Sequence, residues 1–176
     1  MHATVCDYIA DCTQNAIEAG ATDITLTLHT DPDMIAVTIE DNGKGMSPET
    51  LQKALDPFYS EPGKHDHRRI GMGLPLIRQA ADALDGELKV ESTPGKGTKV
   101  FFRFNAKHLD TPPMGDLPGT VIGLMTLPGN YDLTFVRDAY SVRRSELVEA
   151  LGNLEEASNL VLAKEFLTSQ ETSEEL

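Results

Sequence analysis

Apolar residues recur at helical spacing from the start of the chain. Val5, Tyr8, Ile9, Cys12, Ala16 and Ala19 share one stripe, and Gly20 supplies the stop. The opposite face carries Asp7, Asp11, Asn15 and Glu18. The period then changes to two. Ile24, Leu26 and Leu28 alternate with polar residues, Asp31-Pro32-Asp33 turns the chain, and Ile35, Val37 and Ile39 alternate back, which predicts a β-hairpin. Ser47-Pro48-Glu49 opens a short helix through Leu55, with serine as the cap and proline at the first helical position. From Phe58 to Arg69 the pattern gives way to polar residues and predicts a mobile loop. A helix over about Leu74–Leu84 ends at Gly86, and strands Glu87–Ser92 and Thr98–Phe104 flank the turn Pro94-Gly95-Lys96-Gly97.

Helix, two strands, helix, loop, helix and two strands predict an α+β fold. Its form is a two-layer α/β sandwich, a mixed but mostly antiparallel sheet with helices on one face. This unit is assigned to residues 1–106, and 107–176 form a small α/β extension with an acidic tail. Thr111-Pro112-Pro113 reads as a linker, Thr120–Leu127 as a buried segment, helical or extended, and Leu133, Phe135 and Arg137 as a strand. Ser145–Leu151 and Leu154–Leu167 read as helices. Leu154, Ala157, Val161 and Leu167 form a stripe suited either to a partner helix or to the chain's own core. Glu171, Glu174 and Glu175 end a tail expected to fray.

Composition narrows the function classes. The 176 residues carry a net charge of −13, with −6 on residues 1–105 and −7 on 106–176. Such a chain repels a phosphate backbone, so nucleic acid is not an expected partner. A phosphate ligand must instead be held by backbone amides, a divalent cation and a few local bases. No apolar run reaches membrane-spanning length and no signal pattern opens the chain, which points to the cytoplasm and away from a membrane. Cys6 and Cys12 lie about 9 Å apart along one helix, too far for a disulfide. His65 and His67 alternate in the polar loop without cysteine neighbours, so a zinc site is not expected.

Four constellations carry chemistry. Asp11 and Asn15, four apart, stack on one helix face, where their oxygens are suited to Mg²⁺ and a water; the alternative is a solvated face. Asp41 follows Ile35, Val37 and Ile39 onto the core side of its strand, so its carboxylate needs a donor such as a purine amine. Gly43 and Gly45 beside it would let backbone approach a flat ring, unless Asp41-Asn42-Gly43 is simply a turn cap. Gly71-Met72-Gly73-Leu74 leads into a helix N-terminus, an anion site by its free amides and dipole, preceded by Lys64, Arg68 and Arg69. Thr98 lies in phase with Val100, Phe102 and Phe104, which turns its hydroxyl toward the same interior as Asp41.

These motifs resemble, in order and spacing, those of the GHKL ATPases, the superfamily of gyrase, heat-shock chaperone, histidine kinase and MutL. The resemblance covers about residues 4–104. DCTQNAIEAGA matches the N box and is MutL-like, DNGKGM the first glycine box, DPFYS the aromatic box, GMGLPL the second glycine box and PGKGT the last. The resemblance implies that Asn15 coordinates Mg²⁺ on the triphosphate, and that Asp41 accepts from adenine N6 with Thr98 assisting through water. Gly43, Gly45 and Met46 would line the adenine and ribose side. Gly71, Gly73 and Leu74 would give backbone to the phosphates. Phe58–Ile70 would be the ATP lid, with Lys64, Arg68 and Arg69 as phosphate contacts. Asp11 stands where MutL-type ATPases place the glutamate that activates water, one methylene shorter. DPFYS and GMGLPL lean toward histidine kinases. His2, the only histidine before the N box, is expected in an unsupported terminus, with no room upstream for a phosphoacceptor helix. A closer resemblance is to stand-alone bacterial ATP-binding proteins that often accompany iron-hydrogenase subunits, in which the domain continues through a segment like His108–Asp116.

The function this implies is ATP-dependent protein kinase or phosphotransfer activity on a separate protein partner, with Asp11 as base. Two alternatives stay open: a nucleotide-responsive binding module with little turnover, and a slow ATPase acting as a homodimeric clamp.

Overall fold

The computed structural model describes residues 2–58 and 73–174. Helix α1 (Val5–Glu18) is closed at both ends by local chemistry. Thr4 accepts from the Asp7 amide at 3.2 Å while Asp7 accepts from the Thr4 amide at 2.8 Å, a reciprocal capping box. At the other end Gly20 adopts φ 75°, and the amides of Gly20 and Ala21 reach back to the carbonyls of Ile17 and Ala16. Strands β1 (Asp23–Thr30) and β2 (Met34–Asp41) form the expected hairpin, its turn tied by Asp31 Oδ1 to the amides of Asp33 and Met34 at 2.8 Å each. The short helix α2 (Pro48–Ala54) is capped by Ser47. Helix α3 (Gly73–Ala83) and the hairpin β3 (Glu87–Thr93) and β4 (Gly97–Asn105) complete the part anticipated up to residue 106.

Beyond it run α4 (Leu117–Met125), β5 (Asp132–Arg137), β6 (Ser141–Arg143), α5 (Arg144–Leu151) and α6 (Ala157–Glu174). All six strands join one sheet in the order β3-β4-β2-β1-β5-β6, and only the β1–β5 pair is parallel. Ile24, Leu26, Leu28, Val37, Ile39, Phe102, Phe104, Leu133 and Phe135 bury one face of it with α1, α3 and α4. The alternate residues Thr25, Thr27, Thr38 and Lys99 stay partly or fully open to solvent. The α+β expectation, a mostly antiparallel sheet with helices against one face, is met.

Several expectations for the last third change. The Thr111–Pro113 stretch is not a slack linker: Pro112 is buried, and the carbonyls of Pro113 and Met114 accept the first helical amides of α1, those of Val5 and Cys6, at 2.9 Å each. A helix leaves those amides without intrahelical partners, so an adjacent chain can satisfy them. The Thr120–Leu127 segment is helical over most of its length, within α4. The tail does not fray at Glu171, because Arg137 is only 10% exposed and its guanidinium requires a counter-charge. Glu171 lies 3.3 Å from Arg137 Nε and also accepts from the Tyr140 hydroxyl, while Glu175 is outside the described residues. Cys6 and Cys12 are buried free thiols, and burial pushes the Cys12 thiol far up from its ordinary range. Among the described residues no helix is long and apolar enough to cross a membrane.

The helical stripe near the C-terminus divides. Leu154 and Leu167 are buried in the chain's own core with Ala163, whereas Ala157 is exposed and Val161 is 54% exposed. Leu167→Ala is therefore expected to lower the unfolding free energy by about 2–5 kcal/mol through the cavity it leaves. Val161→Ala is expected to change it by less than about 0.5 kcal/mol. Urea unfolding of both variants beside the parent checks the assignment.

Candidate functional site

Asp11 and Asn15 lie one turn apart on α1, and the first residue of α3 comes down onto them. Gly73 is buried there, and a Cβ added to it would lie 3.2 Å from Asp11 Cβ, 3.6 Å from Asp11 Oδ2 and 3.8 Å from Asn15 Nδ2. Only a residue without a side chain leaves space between the polar face of α1 and the amides that open α3. Leu74 follows with its side chain buried, which anchors that turn to the core. The expectation of an unsupported terminus at His2 is corrected. Its Nε2 lies 2.6 Å from Asp11 Oδ2, and its ring stands edge-on to Tyr8 with centroids 4.7 Å apart.

The second half of the site is the end of β2. Asp41 pairs in register with Ile24 on one side and Thr98 on the other. Its Oδ1 accepts the Gly43 amide at 2.8 Å. Burial raises the Asp41 carboxyl above the usual carboxylate range, and the backbone hydrogen bonds from Gly43 and Thr98 offset only part of that rise. Asn42 holds the backbone together: its Oδ1 accepts the amides of Thr22 and Asp23 at 2.9 and 3.0 Å, locking the loop to the start of β1. Gly43 is buried against Ala19, and the Lys44 amide bonds the Ala19 carbonyl at 3.0 Å. Gly45 has φ 65°, and a Cβ on it would collide with the Thr93 carbonyl oxygen. These two glycines are required by backbone packed on backbone.

Ser92 belongs to none of the sequence motifs, yet it joins three of them. It accepts the Met46 amide at 2.8 Å, donates to the Gly97 carbonyl at 3.2 Å, and lies 2.8 Å from Thr98 Oγ1. With its own hydrogen on Gly97, Ser92 receives the hydrogen of Thr98. The signal that could have found it is register, since Ser92 and Thr98 are direct partners across the β3–β4 hairpin.

Asp11, Asn15, Gly73 and Leu74 thus converge where α1 meets α3, and Asp41, Gly43, Gly45, Met46 and Thr98 converge where β2 meets β4. Helix α1 links the halves, because Ala19, which caps its C-terminus, is the residue that packs on Gly43. Lys64, Arg68, Arg69 and Gly71 lie outside the described residues, as does the loop beyond Phe58. The donor set is one of hard oxygens and backbone amides, and among the described residues no His, Cys, Asp or Glu cluster suits a metal held by protein alone.

A carboxyl whose pKa is raised on folding holds its proton more tightly in the native chain than in the unfolded one. Stability is then lost as pH rises from the ordinary carboxylate value through the raised one. Asp41→Asn keeps an acceptor for Gly43 but abolishes that ionisation. The variant should gain stability relative to the parent as pH rises from about 4 to about 7. Urea unfolding of both proteins across that range measures the difference.

Residues 4–108 match the family described as histidine kinase-, DNA gyrase B-, and HSP90-like ATPase. The chain is 31% identical over 103 residues to the sensor histidine kinase YxdK of Bacillus subtilis, a match covering 56% of this chain and 32% of that protein. It is 30% identical over 89 residues to the sensor histidine kinase CpxA of Escherichia coli, covering 49% of this chain and 20% of the relative. A solved catalytic domain of the histidine kinase ThkA aligns with a TM-score of 0.44 at 23% identity, covering 57% of this chain and 64% of that one. The chain thus spans a third or less of these curated relatives, and the matched part carries the boxes that converge in the structure. It belongs to the family of histidine kinase-, DNA gyrase B- and HSP90-like ATPases, whose domain is an ATP-binding one.

Proposed function

We propose that this protein binds Mg-ATP between α1, the end of β2 and the start of α3, and transfers the γ-phosphoryl group to a separate protein. The observation that carries the reading is the approach of Gly73 to Asp11 and Asn15, which sets helix-opening amides beside two oxygen-bearing side chains. Amides and the dipole at a helix start favour phosphate oxygens. Asn15 and Asp11 fit a magnesium ion in kind, because magnesium takes a few protein oxygens and completes its shell with phosphates and water. When bound, the ion would neutralise charge on the triphosphate; Asn15 is its proposed ligand.

Asp41 is the proposed adenine reader. A carboxylate has about four acceptor positions, and the Gly43 and Thr98 amides occupy two of them, so one oxygen remains for an exocyclic amine. Gly43, Gly45 and Met46 back that side, and Thr98 is held beside it by Ser92. Gly71, Gly73 and Leu74 would lend backbone amides to the phosphates, with Lys64, Arg68 and Arg69 as the movable cations. Asp11 is the proposed base. It takes the proton of the acceptor hydroxyl or imidazole as that group attacks the γ-phosphorus and the bond to the bridging oxygen of ADP breaks. The whole proteins similar to this chain are named as sensor kinases, which supports kinase-type chemistry. No excess of positive charge favours a nucleic-acid partner, and nothing in the chain calls for a membrane.

Two measurements test this. Asp41→Asn turns an acceptor toward the adenine amine into a donor, and ATP affinity by calorimetry should fall about tenfold to a hundredfold, the worth of a charge-assisted hydrogen bond; an undiminished affinity refutes the adenine pocket. Incubation with γ-labelled ATP and Mg²⁺, alone and with candidate partners, should move label into a partner protein. Free phosphate alone would instead make the chain an ATPase, and tight binding without turnover a nucleotide-responsive module.

A further inference from the structure

His2 is the one polar side chain from outside α1 whose hydrogen bond reaches the phosphate end of the site among the described residues. Its placement is overdetermined. The ring stands edge-on to Tyr8 at 4.7 Å, and Tyr8, fully buried, is itself packed edge-on to Phe104 at 5.5 Å and Phe102 at 6.3 Å. From that seat Nε2 lies 2.6 Å from Asp11 Oδ2, with both side chains partly screened from solvent at 25% and 38% exposure. The same Oδ2 lies on the side of Asp11 facing Gly73. An ionised carboxylate only accepts, so the ring hydrogen sits on Nε2 and is donated to Oδ2. An exposed pair of this kind adds little to stability. Its effect is on orientation, since a carboxylate held by one oxygen presents the other in a fixed direction.

Building on the reading of Asp11 as base, we propose that His2 is a positioning residue for phosphoryl transfer. It binds Oδ2 and so leaves Oδ1 of Asp11 to take the proton of the attacking group. In the reaction with water the nucleophile oxygen forms a bond to the γ-phosphorus, the bond from that phosphorus to the β,γ-bridging oxygen breaks, ADP leaves with the electron pair, and the proton of water passes to Oδ1. The His2 hydrogen stays on Nε2 throughout. This also accounts for an aspartate where a longer side chain would otherwise be needed: the histidine holds the shorter arm in place.

The test uses the intact chain with Mg-ATP and water as acceptor. His2→Ala is expected to lower kcat about tenfold with KM and ATP affinity unchanged within about twofold, because His2 touches neither the adenine nor the phosphate contacts. His2→Gln, whose amide nitrogen reaches about as far from Cβ as imidazole Nε2, should restore most of the loss. On an Asp11→Asn background the His2→Ala effect should shrink below about twofold, the coupling expected of one unit. Ring nitrogen NMR should report the hydrogen on Nε2 of His2 and a changed signal in Asp11→Asn. A parent that turns over while His2→Ala matches it, or effects of the two substitutions that multiply, would overturn the role of His2 alone. Acid-labile label trapped on His2 would make the ring an acceptor and overturn it too. A parent that binds Mg-ATP and releases no phosphate would overturn the catalytic reading of Asp11, and this proposal with it.

Discussion

Tyr8 is packed edge-on against Phe102 and Phe104, and the orientation of α1 follows from that contact. Aromatic rings meeting edge to face lose their favourable geometry when either slides. With Val5, Ile9, Cys12 and Ala16 buried around it, α1 has one roll angle and one height above the sheet. Everything polar on the helix is aimed by that choice. Asp11 and Asn15 are turned toward the start of α3, and Ala19 is pressed onto Gly43. The distance between the adenine side and the phosphate side is therefore the length of a single rigid rod, which a site split between loops would not possess.

The far end of the rod is held from elsewhere in the chain. The Pro113 and Met114 carbonyls take the first amides of α1, and Asp116, close behind them, caps α4 and pairs with Lys164 of α6 at 2.8 Å. Arg137 fastens the opposite side, bonding Thr30 of β1 at 2.8 Å while Glu171 balances its charge. A displacement of α4 or α6 is thus transmitted to α1 through hydrogen bonds as well as through packing. The last third of the chain bears on the geometry of Asp11 without contributing a side chain to it.

Periodicity carried most of this architecture. The stripe from Val5 to Ala16, the alternation in both hairpins and the capping residues Ser47 and Gly20 are local signals, and the structure follows them closely. The order and spacing of the glycine boxes made the site legible as well. What escaped reading was non-local and polar. The parallel pairing of β1 with β5 joins segments about a hundred residues apart and leaves no imprint on either. Glu171 looked like one more acid in a solvated tail, because its reason for order, the buried guanidinium of Arg137, lies on another element. His2 and Ser92 are single hydrogen-bonding residues with no period to reveal them. His2 becomes visible only once Tyr8 is seated, and Ser92 only once the β3–β4 register is known.

The parallel strand has one more consequence. Without β5, β1 would present an eight-residue border of unpaired amides and carbonyls, rich in threonine and alternating aliphatics. Such a border is a template for strands of other molecules. With β5 in place the sheet instead ends on the three residues of β6, which run straight into Arg143 and Arg144 at the start of α5. A border that short, flanked by cations and turning at once into a helix, offers a foreign strand almost nothing to pair with. The residues after 106 thus keep the protein apart from its own copies, whatever else they recognise.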